Sequence, residues 1–442
     1  MSAAPGAVSS FAFVASTVIL VGAFVLIVFE RVDRAVVALL GAGLVIVLGL
    51  LDQAQAIAFI DFNTIGLLAG MMIIVSVSRK SGVFGYAAIR AAQFVRASPA
   101  GVLAAFALIT AVLSAFVNNV TVVLLIVPVT FVVCGELGIG VYPFLFAEIL
   151  ASNIGGSATL IGDPPNILIG SATGLGFDDF AAQLAPVSIV ILLLQIAAGH
   201  LLWGSQMRAA PEARARVMAI RAAEAIEDRY LLVCSLAVIA AVLAALIAAN
   251  VLRLEPATIA LSGAGLLLLL ESLPHGRAAR AENLAQALGD VEWTMLIFLA
   301  GLFVMIGAVQ QAGVLRGLGD LLTAGAGHDL RLAASIVLWL SAVLSAIIDN
   351  VPYVAAMIPV VKSIAPALGG PKMLAPLWWA LALGAGLGGN GTLIGSSANL
   401  TVAALAERSG VRFSFVAFSL RAIPLMLASV AVAQVYILWR YF

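Results

Sequence analysis

The chain has 442 residues, of which 63% are hydrophobic and 10% are charged, and its mean hydropathy is +1.16. Soluble globular domains have roughly 45–50% apolar and about 25% charged residues, so this composition excludes a water-soluble protein and predicts an all-α polytopic membrane protein. The 22 basic and 22 acidic residues cancel, which argues against a nucleic-acid partner, and two cysteines are too few for a disulfide framework or a zinc site.

Apolar runs that could cross a bilayer recur along the whole chain. A span needs about 20 apolar residues, and ten runs come near or exceed that length. They lie at 10–29, 34–51, 62–78, 141–175, 184–204, 230–249, 256–271, 293–310, 374–407 and 416–440. The first run is too long for the core of a signal peptide and no basic segment precedes it, so we expect it to be the first span.

Two further apolar stretches, 100–134 and 331–366, are interrupted midway by polar residues. Each is too long for one span and too short for two spans with a loop, which favours a re-entrant hairpin of two half-helices. The polar stretch 206–229 interleaves arginines with acidic residues and is predicted to be a connecting loop with an amphipathic helix.

An internal repeat relates the two halves of the chain. Residues 114–129 align with 345–360 at seven identical positions of sixteen, and residues 155–166 align with 388–399 at seven of twelve. The offset of the first match also superposes Ala69-Gly70 on Ala300-Gly301. Chance explains one such match but not three in the same order, so we infer a tandem duplication.

The repeat predicts the domain organisation. Each half holds five spans and one hairpin, and an odd number of spans makes the second half enter the membrane from the opposite side, which gives inverted-topology repeats. The predicted units are a first repeat at 1–205 with hairpin 100–134 and broken span 141–175, a cytoplasmic loop at 206–229, and a second repeat at 230–442 with hairpin 331–366 and broken span 374–407.

The basic residues predict the orientation. On this topology fifteen Lys and Arg, including Arg34, fall on one side and six on the other, with Arg421 inside the last apolar run left out. The positive-inside rule makes the richer side cytoplasmic. We therefore expect a multi-pass protein of the cytoplasmic (inner) membrane with both termini outside.

Polar and helix-breaking residues concentrate at four places that the repeat pairs two by two. The two hairpin tips carry neighbouring amides or a carboxylate, and segments 152–166 and 386–399 combine glycines with Asn, Ser and Thr. Unwound backbone survives in a membrane only where it is buried in protein or lines a cavity. The predicted substrate-binding residues are Asn118, Asn119, Ser157, Thr159, Asn166, Asn350, Asn390, Thr392, Ser396 and Asn399.

A carboxylate inside a membrane segment is a functional candidate by default. We expect Asp163 and Asp349 to carry proton or cation coupling, with Glu148 as a third candidate. Two structural alternatives stay open, because Asn119 and Asn350 would also suit helix caps and glycine-rich segments often serve only for close packing.

The strings ASNIGGSATLIGDPPNILIG (151–170), NNVTVVLLIVP (118–128) and IIDNVPYVAAMIPV (347–360) resemble the ArsB-type arsenite/antimonite permeases. They are equally similar to the P protein of the same branch of the ion-transporter superfamily, which also holds citrate and dicarboxylate carriers and NhaD-type antiporters. The resemblance implies a scaffold that often dimerises and a mobile transport domain that works as an elevator. Dicarboxylate carriers have Ser-Asn-Thr at both tips, and this chain does not.

The resemblance favours proton-coupled export of arsenite or antimonite. Arsenous acid is neutral at neutral pH, so amides and hydroxyls suit it, whereas Cys134 and Cys234 cannot supply three thiolates. A sodium/proton antiporter and an organic-anion carrier or anion channel are the alternatives. An intramembrane aspartyl protease would need Gly-x-Gly-Asp where 160–163 reads Leu-Ile-Gly-Asp, so we expect no enzyme.

The remaining expectations concern cofactors and partners. A proton or sodium gradient is the expected driving force, with no cofactor and no metal. The candidate partners are arsenite, antimonite or another small ion, membrane lipid, a second copy of the chain and a cytoplasmic arsenite-stimulated ATPase.

Overall fold

The computed structural model describes residues 10–28, 32–315 and 329–442, with positions 317, 319 and 324. Within these residues every regular element is a helix, so the all-helical class is confirmed. In this part of the chain seven helices are long and apolar enough to span a membrane, and five apolar helices are shorter.

The helices of the first half follow the predicted apolar runs closely. They are Ser10–Val28, Arg34–Val47, Gln53–Phe59, Phe62–Arg79, Val83–Phe94, Pro99–Ser114, Asn119–Leu137, Tyr142–Gly156, Pro164–Thr173 and Phe177–Trp203. Aspartates start several helices: the carboxylates of Asp33 and Asp61 accept hydrogen bonds from backbone N–H groups of the first turn. These caps satisfy donors that hydrocarbon would leave unpaired.

The second half repeats this order after a short linking helix, Pro211–Ala219, which lies within the predicted polar stretch. Its described helices are Arg229–Ile247, Ala249–Leu252, Pro256–Ser272, Arg277–Gly289, Trp293–Gln311, Leu330–Ser345, Asn350–Ser363, Ala375–Gly388, Ser397–Arg408 and Phe415–Tyr441. Val83–Phe94 and Arg277–Gly289 were not predicted, because a search for long apolar runs passes over short helices that contain charged and polar residues.

Spans of the first half pack on spans of the second half. Arg34–Val47 lies along Trp293–Gln311, and Phe62–Arg79 lies along Pro256–Ser272. In the repeat alignment Trp293–Gln311 corresponds to Phe62–Arg79, so the two contacts are equivalent. We call the helices within 10–79 and 229–311 the crossed-span group.

Glycines allow these spans to approach closely. A Cβ on Gly301 would overlap the backbone and side chain of Ala38, and a Cβ on Gly70 would overlap Ala260. Gly70 and Gly301 are equivalent positions of the repeat, so small residues make the same crossing twice.

The hairpins and broken spans form the other group of helices. The first hairpin is Pro99–Ser114 with Asn119–Leu137, and the second is Leu330–Ser345 with Asn350–Ser363. The first broken span is interrupted at 157–163 and the second at 389–396. We call these elements, with Phe177–Trp203 and Phe415–Tyr441, the hairpin group.

The two halves interlock within the hairpin group. Asn350–Ser363 of the second hairpin packs on Pro164–Thr173 of the first broken span, and Asn119–Leu137 packs on Ser397–Arg408. Each hairpin therefore meets the break of the opposite half, and this brings all four polar segments together.

Candidate functional site

Each hairpin tip ends in a capped half-helix. The side chain of Asn118 accepts a hydrogen bond from the N–H of Val120 at 2.8 Å, and Asp349 accepts one from Val351 at 3.1 Å. The caps are therefore the residues immediately before Asn119 and Asn350, which leaves these two amides free for other contacts. Both half-helices direct the positive ends of their dipoles at the tips.

The interrupted turns of the broken spans are held by side chains. The amide of Asn166 donates to the carbonyl of Thr159 at 2.8 Å, and the amide of Asn399 donates equivalently to Thr392 at 2.8 Å. The hydroxyl of Thr159 donates to the carbonyl of Ala115 beside the first tip. Backbone groups freed by each break thus find partners inside the protein, as a membrane interior requires.

The same threonine contact recurs in the second half, where the hydroxyl of Thr392 donates to the carbonyl of Ala346 at 2.5 Å. Four of the predicted binding residues, Thr159, Asn166, Thr392 and Asn399, therefore use side-chain donors to keep the breaks in shape.

Asn153 joins the two halves through its side chain. Its Nδ2 donates to Oδ1 of Asn390 and Oδ1 of Asn399, each at 2.9 Å, while its Oδ1 accepts from Ser396 at 3.0 Å. The amide of Asn119 also donates to this Oδ1, at 3.3 Å. Asn153 is 1% exposed, so its contacts form inside the protein.

Asp163 connects the first break to the second tip. It precedes the two prolines that start Pro164–Thr173, and its carboxylate does not cap that helix. Instead its Oδ2 accepts a hydrogen bond from Nδ2 of Asn350 at 3.0 Å. The two predicted coupling carboxylates, Asp163 and Asp349, are therefore linked through the residue adjacent to Asp349.

Asp349 forms an ion pair that the sequence did not indicate. Its Oδ2 lies 3.1 Å from Nη1 of Arg34 and accepts a hydrogen bond from Oγ of Ser397 at 2.9 Å. The same Nη1 donates to Ser397 Oγ at 3.0 Å, and the guanidinium lies 5.6 Å from the ring centroid of Phe298. Arg34 thus places a positive charge at the tip that the sequence predicted to be acidic.

A cavity of about 270 Å³ opens beside this ion pair. Arg34, Asp349 and Ser397 supply polar groups to its wall, and Phe298 and Ile348 supply apolar ones. Sites for drug-sized ligands span about 300–1,000 Å³. The cavity suits a small solute or ion.

Glu148 stands apart from the tips. It is fully buried, its Oε1 accepts a hydrogen bond from Thr130 at 2.5 Å, and its Oε2 has no protein partner. Of the other candidates, Asn118, Thr392 and Asp349 are half-buried and the rest are buried. Asn118 donates to Sδ of Met295 at 3.9 Å, and Ser157 donates to the carbonyl of Asn153 at 2.7 Å.

Sequence reasoning missed Arg34, Asn153 and Ser397 as site residues. Arg34 was counted only as a cytoplasmic charge. The equivalents of Asn153 and Ser397 in the other half are Gly386 and Pro164, so repeat symmetry did not mark them. Among the described residues no group of three His, Cys, Asp or Glu side chains could hold a metal ion.

Comparison with known proteins identifies related transporters. A family model described as citrate transporter (CitMHS) matches residues 24–384. An uncharacterized transporter of Mycobacterium tuberculosis is 43% identical over 433 residues, covering 97% of this chain and 99% of its own length. The P protein of Mus musculus is 34% identical over 509 residues, covering 96% of this chain and 60% of that protein.

The fold also resembles a solved structure. The YdaH transporter of Alcanivorax borkumensis superposes with a TM-score of 0.58 over 86% of this chain and 85% of that one, at 17% identity. At that identity the likeness concerns the fold alone. It agrees with a polytopic membrane protein.

Proposed function

Since the chain belongs to the citrate-transporter family of membrane transporters, we propose that it is a secondary active carrier. It moves a small polar solute across the membrane, and a proton or sodium gradient drives this movement. One observation carries the proposal. Both tips and both breaks meet through polar contacts, and two carboxylates lie at this junction: Asp163 of the first break accepts from Asn350 of the second tip, and Asp349 of that tip accepts from Ser397 at the second break. Buried carboxylates in membrane segments are costly to keep and mark ion pathways.

In this proposal Asp349 and Asp163 bind the coupling proton or cation. Asp349 lines the cavity, and Asp163 accepts a hydrogen bond from Asn350, the residue next to Asp349. Ser397, at the second break, lines the same cavity and is a polar group well placed to contact the solute, and Asn118 holds the equivalent position at the first tip. The hairpin group would move as one body against the crossed-span group, in an elevator-type alternation, in the cytoplasmic membrane with both termini outside.

Arsenite or antimonite export is our first proposal for the substrate. A cavity of about 270 Å³ is large enough for arsenous acid, whose hydroxyls can donate to the carboxylates of the wall and accept from Arg34 and Ser397. Thiolate capture plays no part, because Cys134 is buried in Asn119–Leu137 and Cys234 lies on a different helix.

A carboxylate anion is the second candidate. Arg34 lines the cavity, and a guanidinium binds carboxylates through paired hydrogen bonds. The description of the family model, citrate transporter, supports the same substrate class. Sodium/proton exchange without a further solute is the third candidate.

Purified protein in liposomes with a trapped pH dye separates these candidates. Under an imposed proton gradient we add arsenite, antimonite, citrate and sodium in separate runs. We expect arsenite-dependent dissipation of the gradient, and we expect Asp349→Asn to abolish it because the tip loses the carboxylate that lines the cavity.

Each other outcome has a defined meaning. A response to sodium alone identifies a cation antiporter, and a response to citrate alone identifies an anion carrier. If the chain with Asp349→Asn still couples solute flux to the gradient, Asp349 is not the coupling group and that part of the proposal is wrong.

A further inference from the structure

The contact between Arg34 and Asp349 bridges the two groups of helices. Arg34 begins a helix that packs on Ser10–Val28 and Trp293–Gln311, all in the crossed-span group, whereas Asp349 forms the tip of the second hairpin. The two residues are 315 positions apart in the chain. Their ion pair therefore fastens a hairpin tip to a helix outside its own group.

Both carboxylate oxygens of Asp349 already accept hydrogen bonds. Oδ1 is used by the cap to Val351, and Oδ2 receives both Arg34 and Ser397. A proton or a small cation that binds Asp349 neutralises the negative charge that holds the guanidinium, so it competes with Arg34 for the same carboxylate. Both partners are partly accessible, with side chains 26% and 16% exposed, and both line the cavity.

The first tip supplies an internal comparison. Asn118 replaces the carboxylate there, Pro164 replaces the serine, and the tip amide contacts the sulfur of Met295 rather than an arginine. The arginine is thus found at the tip that carries a negative charge. An unpaired carboxylate in a low-dielectric site is strongly unfavourable, so a tethered cation stabilises the site when it is empty.

We propose that Arg34 is a tethered competitor for the coupling cation at Asp349, and that it holds the second tip against Arg34–Val47 until a proton or a metal cation replaces it. Cation binding then releases the tip, because the guanidinium loses its partner. The inference rests on the proposed role of Asp349 in coupling and adds that the empty site is closed by the protein's own cation.

Among the residues that the structure describes, three further charged groups face the pair, and all are acidic. Asp33 caps the helix that Arg34 begins, Glu292 precedes Trp293–Gln311 and interacts electrostatically with Arg34, and Asp163 does so with Asp349. Of these, Asp33 lines the cavity together with the pair. Acidification would also protonate these carboxylates. The experiment therefore uses added sodium at fixed pH as its main series and acidification as a second series.

Thiol accessibility at the tip tests the proposal without knowledge of the solute. In a chain with Cys134→Ala and Cys234→Ala, the substitution Ile348→Cys places one thiol in the cavity wall beside Asp349. We measure its alkylation rate in liposomes with increasing sodium, and separately with increasing acidity. Because only the thiolate reacts, each rate is divided by that of a small free thiol under the same conditions. With Arg34 intact, either cation should raise this relative rate about tenfold as the closed population is lost.

Variants of the pair give the deciding comparison. In Arg34→Gln the rate should be high without added cation and should not respond further, whereas Arg34→Lys keeps the charge and should retain the response. Arg79→Gln is the matched control, because it removes an arginine from an ion pair with Asp290 away from the tip. A monodisperse elution profile establishes that each variant is folded.

Two failures are distinguishable. If Arg34→Gln responds to cations as the unchanged arginine does while Asp349→Asn does not, the competitor inference is overturned and the coupling role of Asp349 stands. If the response persists in Asp349→Asn, cations act elsewhere and the proposed role of Asp349 falls with it.

Discussion

At the scale of single residues, the buried asparagines carry the contact between the halves. Asn153 belongs to the first half, and its side chain bonds to Asn390, Ser396 and Asn399 of the second. An asparagine offers two donors and a carbonyl acceptor, and here all are used. Removal of this one side chain leaves several buried polar atoms without partners.

Asn153→Ala should therefore lower stability markedly. An unsatisfied buried polar group costs about 1–3 kcal/mol, and more than one is created. Thermal unfolding in detergent, followed by fluorescence, measures the effect. Asn250→Ala is the control, since Asn250 is exposed, and equal midpoints for the two variants would contradict the prediction.

At the scale of elements, one glycine in each half sets the distance between the hairpin and its broken span. A Cβ at Gly155 would overlap the backbone of Ala111, and a Cβ at Gly388 would overlap the backbone of Ala342. The pairs are equivalent in the repeat. The first helix of each hairpin consequently packs backbone to backbone on the helix that leads into the break.

Gly155→Ala and Gly388→Ala should each destabilise the protein by about 1–3 kcal/mol, because the helices must separate to admit the methyl group. Gly265→Ala is the matched control, as no atom lies within 4 Å of its added Cβ. That variant should be neutral or slightly stabilising, because alanine favours a helix. Denaturation curves for the three variants decide the matter, and uniform behaviour would argue against close packing at the hairpins.

Sequence reasoning located the breaks and tips because their signals are local. Glycines and prolines interrupt helices wherever they fold, and polar residues midway through each hairpin mark the tips beside Asn119 and Asn350. Arg34 could not be found in this way, since its partner is 315 residues distant and only tertiary packing brings them together. The helix Val83–Phe94 was missed because its mixed polar and apolar residues give no membrane-length signal.

At the scale of the whole molecule, the two halves are interlocked rather than placed side by side. The crossed spans pair one helix from each half twice, and each hairpin packs on the opposite break. The connecting segment packs on helices of the first half, where Val217 is buried and Arg216 forms an exposed ion pair with Glu136. Exposed pairs of this kind contribute about 0–1 kcal/mol.

Cutting the chain between Trp203 and Pro211 should therefore leave the halves associated. A protease site inserted in this segment, cleaved after purification in mild detergent, should give two fragments that elute together. Fragments that separate on size exclusion would show that the linkage, and not the packing, holds the halves. The uncut protein provides the reference elution volume.

The crossed spans also impose an order on biosynthesis. In the finished molecule 67% of the helix Phe62–Arg79 is buried, and its main packing partner is Pro256–Ser272. A ribosome makes that partner long after Phe62–Arg79 has entered the bilayer. The early span must wait among lipids with its small-residue face uncovered, so the nascent first half is a natural client for membrane chaperones until the second half arrives.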